Sequence, residues 1–353
     1  MTIPLRAVDF ERRELRLLKP LRTAHGSIPS RSTWLLRLED ADGRVGWGEA
    51  APLASAGTEG RLACGRALEV ARQILLDGVL DGHEAGAWEP ALLGALPGTP
   101  AVRYAVDLAL WDLAARRAEV PLAALLSADS SIRVPVSALV SDAPSAAAAA
   151  RVGFGSLKVK VAVHSVEEDR ERLESIRAAA PGLAIRLDAN AGWANSAEAA
   201  AALDRLGCEG VTEVEQPVPV FDAVGMKWLR RRVPPRIAAD ESVSDEAAGL
   251  RIVADDSADL LVLKPVRLGG LGPCLRLAAA ARDAALDVFT TTMLEGAVGR
   301  AGTLHLAAAL HREGGPVHGL ATGALLAEDH AVGPAPERGL LAVPEGPGLG
   351  VAP

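Results

Sequence analysis

Five short aliphatic runs between Lys158 and Lys264 each end in a charged residue, and they recur at nearly one interval. They read Lys158-Val-Lys160, Leu187-Asp188-Ala-Asn190, Val214-Glu215-Gln-Pro, Ala239-Asp240-Glu241-Ser and Leu263-Lys264-Pro. From Lys160 the steps are 28, 27, 25 and 24 residues. One strand, one helix and two short loops use about that length of chain. The interval therefore predicts a βα array with a charged side chain at the C-terminal end of each strand. Closing such an array brings those ends to one mouth, where βα barrels carry their active sites.

Strand candidates are 134–139, 156–161, 183–188, 211–215, 236–240, 258–264, 287–291 and 317–320. Segments of helical composition lie between them, such as 166–179, 196–206, 268–284 and 296–310. Eight such units predict an α/β fold with a (β/α)8-type barrel over residues 131–320. Residues 1–130 read as an α+β capping domain, with strands at 5–18, 32–39 and 44–49 and helices at 58–76 and 100–118. Lys19 to Ser30, broken by Pro20, Gly26 and Pro29, is expected to be an irregular loop. Residues 321–353 are expected to pack back on the capping domain.

Three carboxylates aimed at one point repel one another unless a cation sits between them. A hard divalent ion with oxygen ligands fits that demand, Mg²⁺ before others, with Mn²⁺ able to substitute. A lysine beside such a site can be tuned by burial and charge to move a proton near neutral pH. Metal and lysine together describe removal of a proton next to a carboxylate. Lys158 and Lys160, two apart on one strand, face the same side. Glu213 faces the same way as Glu215 one layer deeper, and Glu241 adjoins Asp240, so each is a rival ligand.

The motifs K-V-K, L-D-A-N, E-Q-P, A-D-E-S and L-K-P, in that order and spacing, resemble the enolase superfamily in its muconate-lactonizing branch. Within it the chain is most similar to the o-succinylbenzoate synthases. The resemblance implies Asp188, Glu215 and Asp240 as Mg²⁺ ligands and Lys160 and Lys264 as catalytic residues. It places Lys158, Asn190 and Glu295 at the substrate, Glu295 alternatively serving the helix that follows it. It implies a carbon–oxygen lyase that dehydrates a cyclohexadiene carboxylate to o-succinylbenzoate in menaquinone biosynthesis. It also implies a closing loop near residue 20, from which Arg22 or His25 can reach the site, and a second loop at Gly48 to Leu53. Dipeptide epimerases of the branch carry D-x-D after the last strand to hold an ammonium, where this chain reads Ala321-Thr322-Gly323. Muconate cycloisomerase, sharing something like Thr292-Met-Leu-Glu-Gly, is the runner-up, followed by an N-acylamino acid racemase or dipeptide epimerase.

Outside the branch stand a non-catalytic barrel holding a structural cation and a phosphate-binding barrel using Gly269-Gly270-Leu271-Gly272. Neither asks for lysines on both sides of a carboxylate cluster. The net charge of −8 without basic clusters argues against a nucleic-acid partner. No apolar stretch suggests a membrane span or signal segment. Cys64, Cys208 and Cys274 form no metal-binding or disulfide pattern. A cytoplasmic enzyme acting on a small-molecule carboxylate is expected, and a homo-oligomer is compatible with all of this. Trp111, His164 and His305 read as structural.

Overall fold

A computed structural model of the chain describes residues 4–23, 26–78 and 86–353, apart from the side chains at 21–26. The first sheet is antiparallel, in the order β1 (Leu5–Thr23), β2 (Gly26–Asp40) and β3 (Val45–Ala50). The β2–β3 turn is set by Asp40, whose Oδ1 accepts from Asp42 N at 3.0 Å and Arg44 N at 2.8 Å, while Gly43 takes φ +81°. The sequence predicts an irregular loop over Lys19–Ser30, and here the structure differs. β1 and β2 continue as a hairpin as far as Thr23 and Gly26, with a register irregularity between Arg16 and Leu21. β1 is an edge strand, so Pro20 is tolerated inside that irregularity. His25 and the side chain of Arg22 lie outside the described residues.

Helix Pro100–Arg117 crosses this sheet and is buried nearly all round. Gly46 and Gly48 explain how close it lies: a Cβ at either position would overlap the carbonyl oxygen of Ala109 or Ala105. Two buried aspartates on the helix tie distant parts of the chain to it. Asp107 accepts from Trp88 Nε1 and from Leu271 N, each at 2.7 Å. Asp112 accepts from Trp47 N at 2.9 Å and Leu349 N at 2.8 Å. Trp111 is 8 % exposed and meets Trp88 edge-on, as a core residue does.

The second sheet is parallel and runs β5 (Ala138–Val140), β6 (Ser156–Lys160), β7 (Ala184–Asp188), β8 (Val211–Glu215), β9 (Arg236–Ala239), β10 (Leu260–Leu263) and β11 (Asp287–Thr290). Helices alternate with these strands in the expected order. The eighth position departs from expectation: residues 317–320 form no strand, but single bridges join Val136 to His318 and Thr291 to Gly319 and close the barrel. The candidate strand at 134–139 is likewise split. β4 (Arg133–Pro135) turns away to pair antiparallel with β12 (Leu340–Ala342), and only β5 joins the barrel sheet. Each barrel strand lays one apolar face on the surrounding helices and points its other face inward.

The C-terminal segment returns to the capping domain, where Leu349 and Val351 are buried in the main core. Leu122 N donates to Gly348 O at 2.8 Å. His305 is structural: its Nδ1 accepts from Ala123 N and its Nε2 meets Leu349 O, both at 3.1 Å. Burial pushes its imidazole down to about 4, so it stays neutral. Among the described residues no helix is long and apolar enough to cross a membrane.

Candidate active site at the barrel mouth

Period-two alternation turns Lys158 and Lys160 of β6, Arg186 and Asp188 of β7, and Glu213 and Glu215 of β8 into the barrel. They form two layers. In the deeper one Arg186 stacks 3.8 Å over the Phe289 ring, donates to Val317 O at 2.7 Å, and lies 3.4 Å from Glu213 and 3.5 Å from Glu215. Glu213 is also held by Arg236 at 2.7 Å. Paired from both sides, it belongs to the floor, and Glu215 is the member of the two that faces the upper layer.

In that upper layer the Lys158 ammonium bridges Asp188, at 3.0 Å, and Glu215. Lys160 bonds Asp188 at 3.2 Å and the Asn190 side-chain oxygen. Lys264 lies 2.6 Å from Asp240, whose other oxygen accepts from Arg267 at 3.1 Å. Asn190 donates to Glu241 at 3.0 Å, which makes Glu241 a support of Asn190 and leaves Asp240 facing the centre. Because β6 and β10 stand four places apart in the closed ring, Lys160 and Lys264 face each other across the mouth. The three carboxylates occupy the strand ends between them.

The carboxylates sharing Lys158 diverge electrostatically. Burial raises Asp188, but Lys158 and Lys160 outweigh it and hold the group far below the ordinary range. Glu215 is raised, chiefly by burial and despite Lys158. Asp240 is lowered, because Lys264 and Arg267 overcome its burial. Burial works against the charge on Lys158, yet Asp188, Glu215 and Asp240 hold its ammonium well above the usual lysine value. Burial and the neighbouring Asp240 push Glu241 up to about 7.

The cavity above this layer is lined by all three lysines, Asp188, Asn190, Asp240, Glu241 and Arg267. Its outer wall is mostly apolar, from Leu53 and Ala56 of the capping domain, Met293 and Leu294 of the barrel, and Ala321 and Leu325 at the start of the C-terminal segment. Arg267 was not singled out from the sequence, although it lies one helical turn beyond Lys264. Arg186 was missed too, though alternation with Asp188 carries its signal.

Glu295 is not a lining residue. It is 1 % exposed, its Oε2 accepts from Met293 N at 2.6 Å, and its Oε1 has no partner. The expectation that it binds substrate is therefore corrected: its carboxyl lies behind the wall. Nor does it cap the helix Ala297–Leu310, whose start is gripped instead by Glu49, through Gly296 N at 2.7 Å and Gly299 N at 2.8 Å. Burial, reinforced by Glu49, pushes Glu295 up to about 7. A carboxyl raised in the folded state contributes stability that is complete below its ordinary value and is lost as pH climbs through about 7. Glu295→Gln cannot ionise, so its stability relative to wild type should improve between pH 5 and pH 8, by up to about 3 kcal/mol. Urea midpoints of both proteins at the two pH values measure this. A relative stability that falls as pH rises would show that the carboxyl is content as an anion.

Comparison with known proteins identifies the family and the fold. Residues 8–127 match the mandelate racemase / muconate lactonizing enzyme N-terminal domain, and residues 142–353 match the enolase C-terminal domain-like family. The chain belongs to the enolase superfamily. It is 32 % identical over 351 residues to the L-Lys-D/L-Arg epimerase of Methylococcus capsulatus, covering 95 % of each chain. It is 40 % identical over 222 residues to the o-succinylbenzoate synthase of Mycobacterium bovis, covering 60 % of this chain and 64 % of that one. The crystal structure of the M. capsulatus dipeptide epimerase complexed with Mg and the dipeptide L-Arg-D-Lys superposes with a TM-score of 0.88 at 30 % identity, covering 99 % of this chain and 100 % of that one. The fold is thus that of a superfamily enzyme, with a capping domain over a barrel-like parallel sheet.

Proposed function

We propose that this superfamily enzyme is a Mg²⁺-dependent carbon–oxygen lyase that dehydrates 2-succinyl-6-hydroxy-2,4-cyclohexadiene-1-carboxylate to o-succinylbenzoate. The observation that carries the reading is the pair Lys160 and Lys264, opposed across a mouth whose intervening strand ends present Asp188, Glu215 and Asp240.

The donor set suits a hard divalent cation. In the structure ammonium groups meet these carboxylates, Lys158 with Asp188 and Glu215 and Lys264 with Asp240. Glu215 Oε1 accepts no hydrogen bond but lies 3.5 Å from Arg186 Nε, so the fit rests on the donor set itself: three carboxylates on neighbouring strand ends, the oxygen ligands a hard cation takes. Asp188, Glu215 and Asp240 are the residues that would hold Mg²⁺. Bound there, the ion would draw off negative charge collecting on the substrate carboxylate.

The residues of the chain supply the rest. Lys160, free of its proton, takes the hydrogen from the carbon bearing the carboxylate. It then returns that proton to the departing hydroxyl, so one C–H and one C–O bond break on the same face, water leaves and the ring becomes aromatic. Asn190, braced by Glu241, orients the Lys160 amine. Lys264 faces the developing charge from the other side as a fixed cation, and Lys158 helps neutralise the carboxylate.

The segment Ala321-Thr322-Gly323 separates this reading from dipeptide epimerisation. Ala321 and Thr322 line the cavity, and the Thr322 hydroxyl is engaged with Thr292 at 2.7 Å. No carboxylate stands there for an α-ammonium, and leaving one unpaired costs about 2–3 kcal/mol. A second reading, racemisation of an N-acylated amino acid, needs no such partner and is favoured by the same two lysines, since a base on each face is what proton transfer through a planar intermediate requires. In D₂O with Mg²⁺, the cyclohexadiene carboxylate should aromatise, while a free dipeptide should exchange its α-hydrogen about 30- to 150-fold more slowly. Rapid exchange of the dipeptide with no dehydration would sink the lyase reading. Exchange of an N-succinylamino acid alongside dehydration would establish the second activity.

A further inference from the structure

The outer wall of the cavity comes from two domains. Leu53, Ser55 and Ala56 follow β3, and Thr292, Met293 and Leu294 precede the helix Ala297–Leu310. At the root of both stands Glu49, fully buried, with no part in the lysine and carboxylate cluster. Its two oxygens accept from Gly296 N and Gly299 N across some 250 residues of sequence. That helix starts on a glycine and has no side-chain cap of its own, so Glu49 serves two of its open donors at the positive end of its dipole. Burial works against the charge on Glu49, but His330 and the Gly299 and Gly296 amides outweigh it and hold the carboxyl below the ordinary range. Arg31, 3 % exposed, fixes the other side of the same junction by donating to Ala51 O at 2.8 Å and Pro52 O at 2.9 Å.

We propose that Glu49 is a positioning residue that clamps the two halves of the outer wall together and so sets how tightly the part of the substrate remote from the lysines is held. This rests on the reading that the substrate binds in this cavity. A clamp on the wall acts on binding in ground and transition states alike, so its loss raises KM with little change in kcat. A purely structural cap would lower stability and leave KM where it was.

The test uses the full chain as Glu49→Gln and Glu49→Ala. It measures KM and kcat for dehydration, Mg²⁺ affinity by calorimetry, and backbone hydrogen exchange of residues 50–57 and 291–299 without substrate. Expected are a KM raised by about tenfold in Glu49→Ala and less in Glu49→Gln, which keeps one acceptor oxygen. kcat and Mg²⁺ affinity should stay near wild type, and exchange should quicken in both segments together. Glu49→Gln, nearly isosteric, carries the test if the alanine variant does not fold. Unchanged exchange in both segments, or faster exchange with an unchanged KM, overturns the proposal. Failure of the wild type to dehydrate this substrate would sink the functional reading alone, because the exchange rates still decide whether the clamp exists.

Discussion

Lys160→Ala is expected to slow single-turnover dehydration by about 10⁴-fold, the upper end of what one general acid–base residue contributes, since the same amine serves as base and then as acid. That is about 5 kcal/mol of barrier. Mg²⁺ binding should survive, because the variant removes a cation from beside Asp188 and leaves all three carboxylates in place. Lys264→Ala should be similarly crippled, whereas Lys264→Arg should keep part of the rate, since charge and not a movable proton is asked of that position. It also keeps a cation next to Asp240. Near-normal turnover by Lys160→Ala with metal bound would mean that the roles of the two lysines must be exchanged or abandoned.

Asp188→Asn, Glu215→Gln and Asp240→Asn are each expected to abolish Mg²⁺ binding by calorimetry and to bring turnover below detection. Their effects on the metal-free fold should differ. Asp240→Asn strips the anion from partly buried Lys264 and from buried Arg267, and uncompensated buried charge costs about 3 kcal/mol. Glu215 is already disfavoured as an anion by burial, so Glu215→Gln should cost the least of the three. Full activity of the wild type after exhaustive chelation would refute the metal requirement outright.

Whatever repeats along the chain could be read from it. The strand ends at Lys160, Asp188, Glu215, Asp240 and Lys264 recur because a βα unit has a fixed length, and alternation turned them inward together. That Glu213 and Glu215 share one face of their strand also lay in the local pattern. Arg186 obeys the same alternation and Arg267 lies one helical turn beyond Lys264, but neither belongs to a motif that marks it. What stayed hidden was set by contacts distant in sequence. Nothing near Glu49 or Asp107 announces that each meets backbone amides at the start of a barrel helix, 247 and 164 residues away. Glu295 lies at the end of a mouth-lining segment, and sequence alone does not say that its carboxyl turns behind the wall. Lys19–Ser30 looked irregular because its prolines forbid ladder bonds in a central strand, and only the sheet order reveals that Pro20 lies in edge strand β1 and Pro29 in the part of β2 beyond its pairing with β3. The eighth barrel position, read as a strand over 317–320, is held by only two bridged residues, His318 and Gly319, because it meets its neighbours there by single bridges rather than a ladder.

The joint between Asp112 and the returning C-terminal segment bears on how the protein is made. Synthesis runs from the N-terminus, and domains fold as they emerge. Here the capping domain precedes the barrel in sequence, yet Asp112 and the amide of Leu122 are also met by Leu349 N and Gly348 O, which follow the barrel. The barrel, translated in between, can assemble while its own cap is still unfinished. Of the two domains, the one translated earlier is therefore the one sealed later.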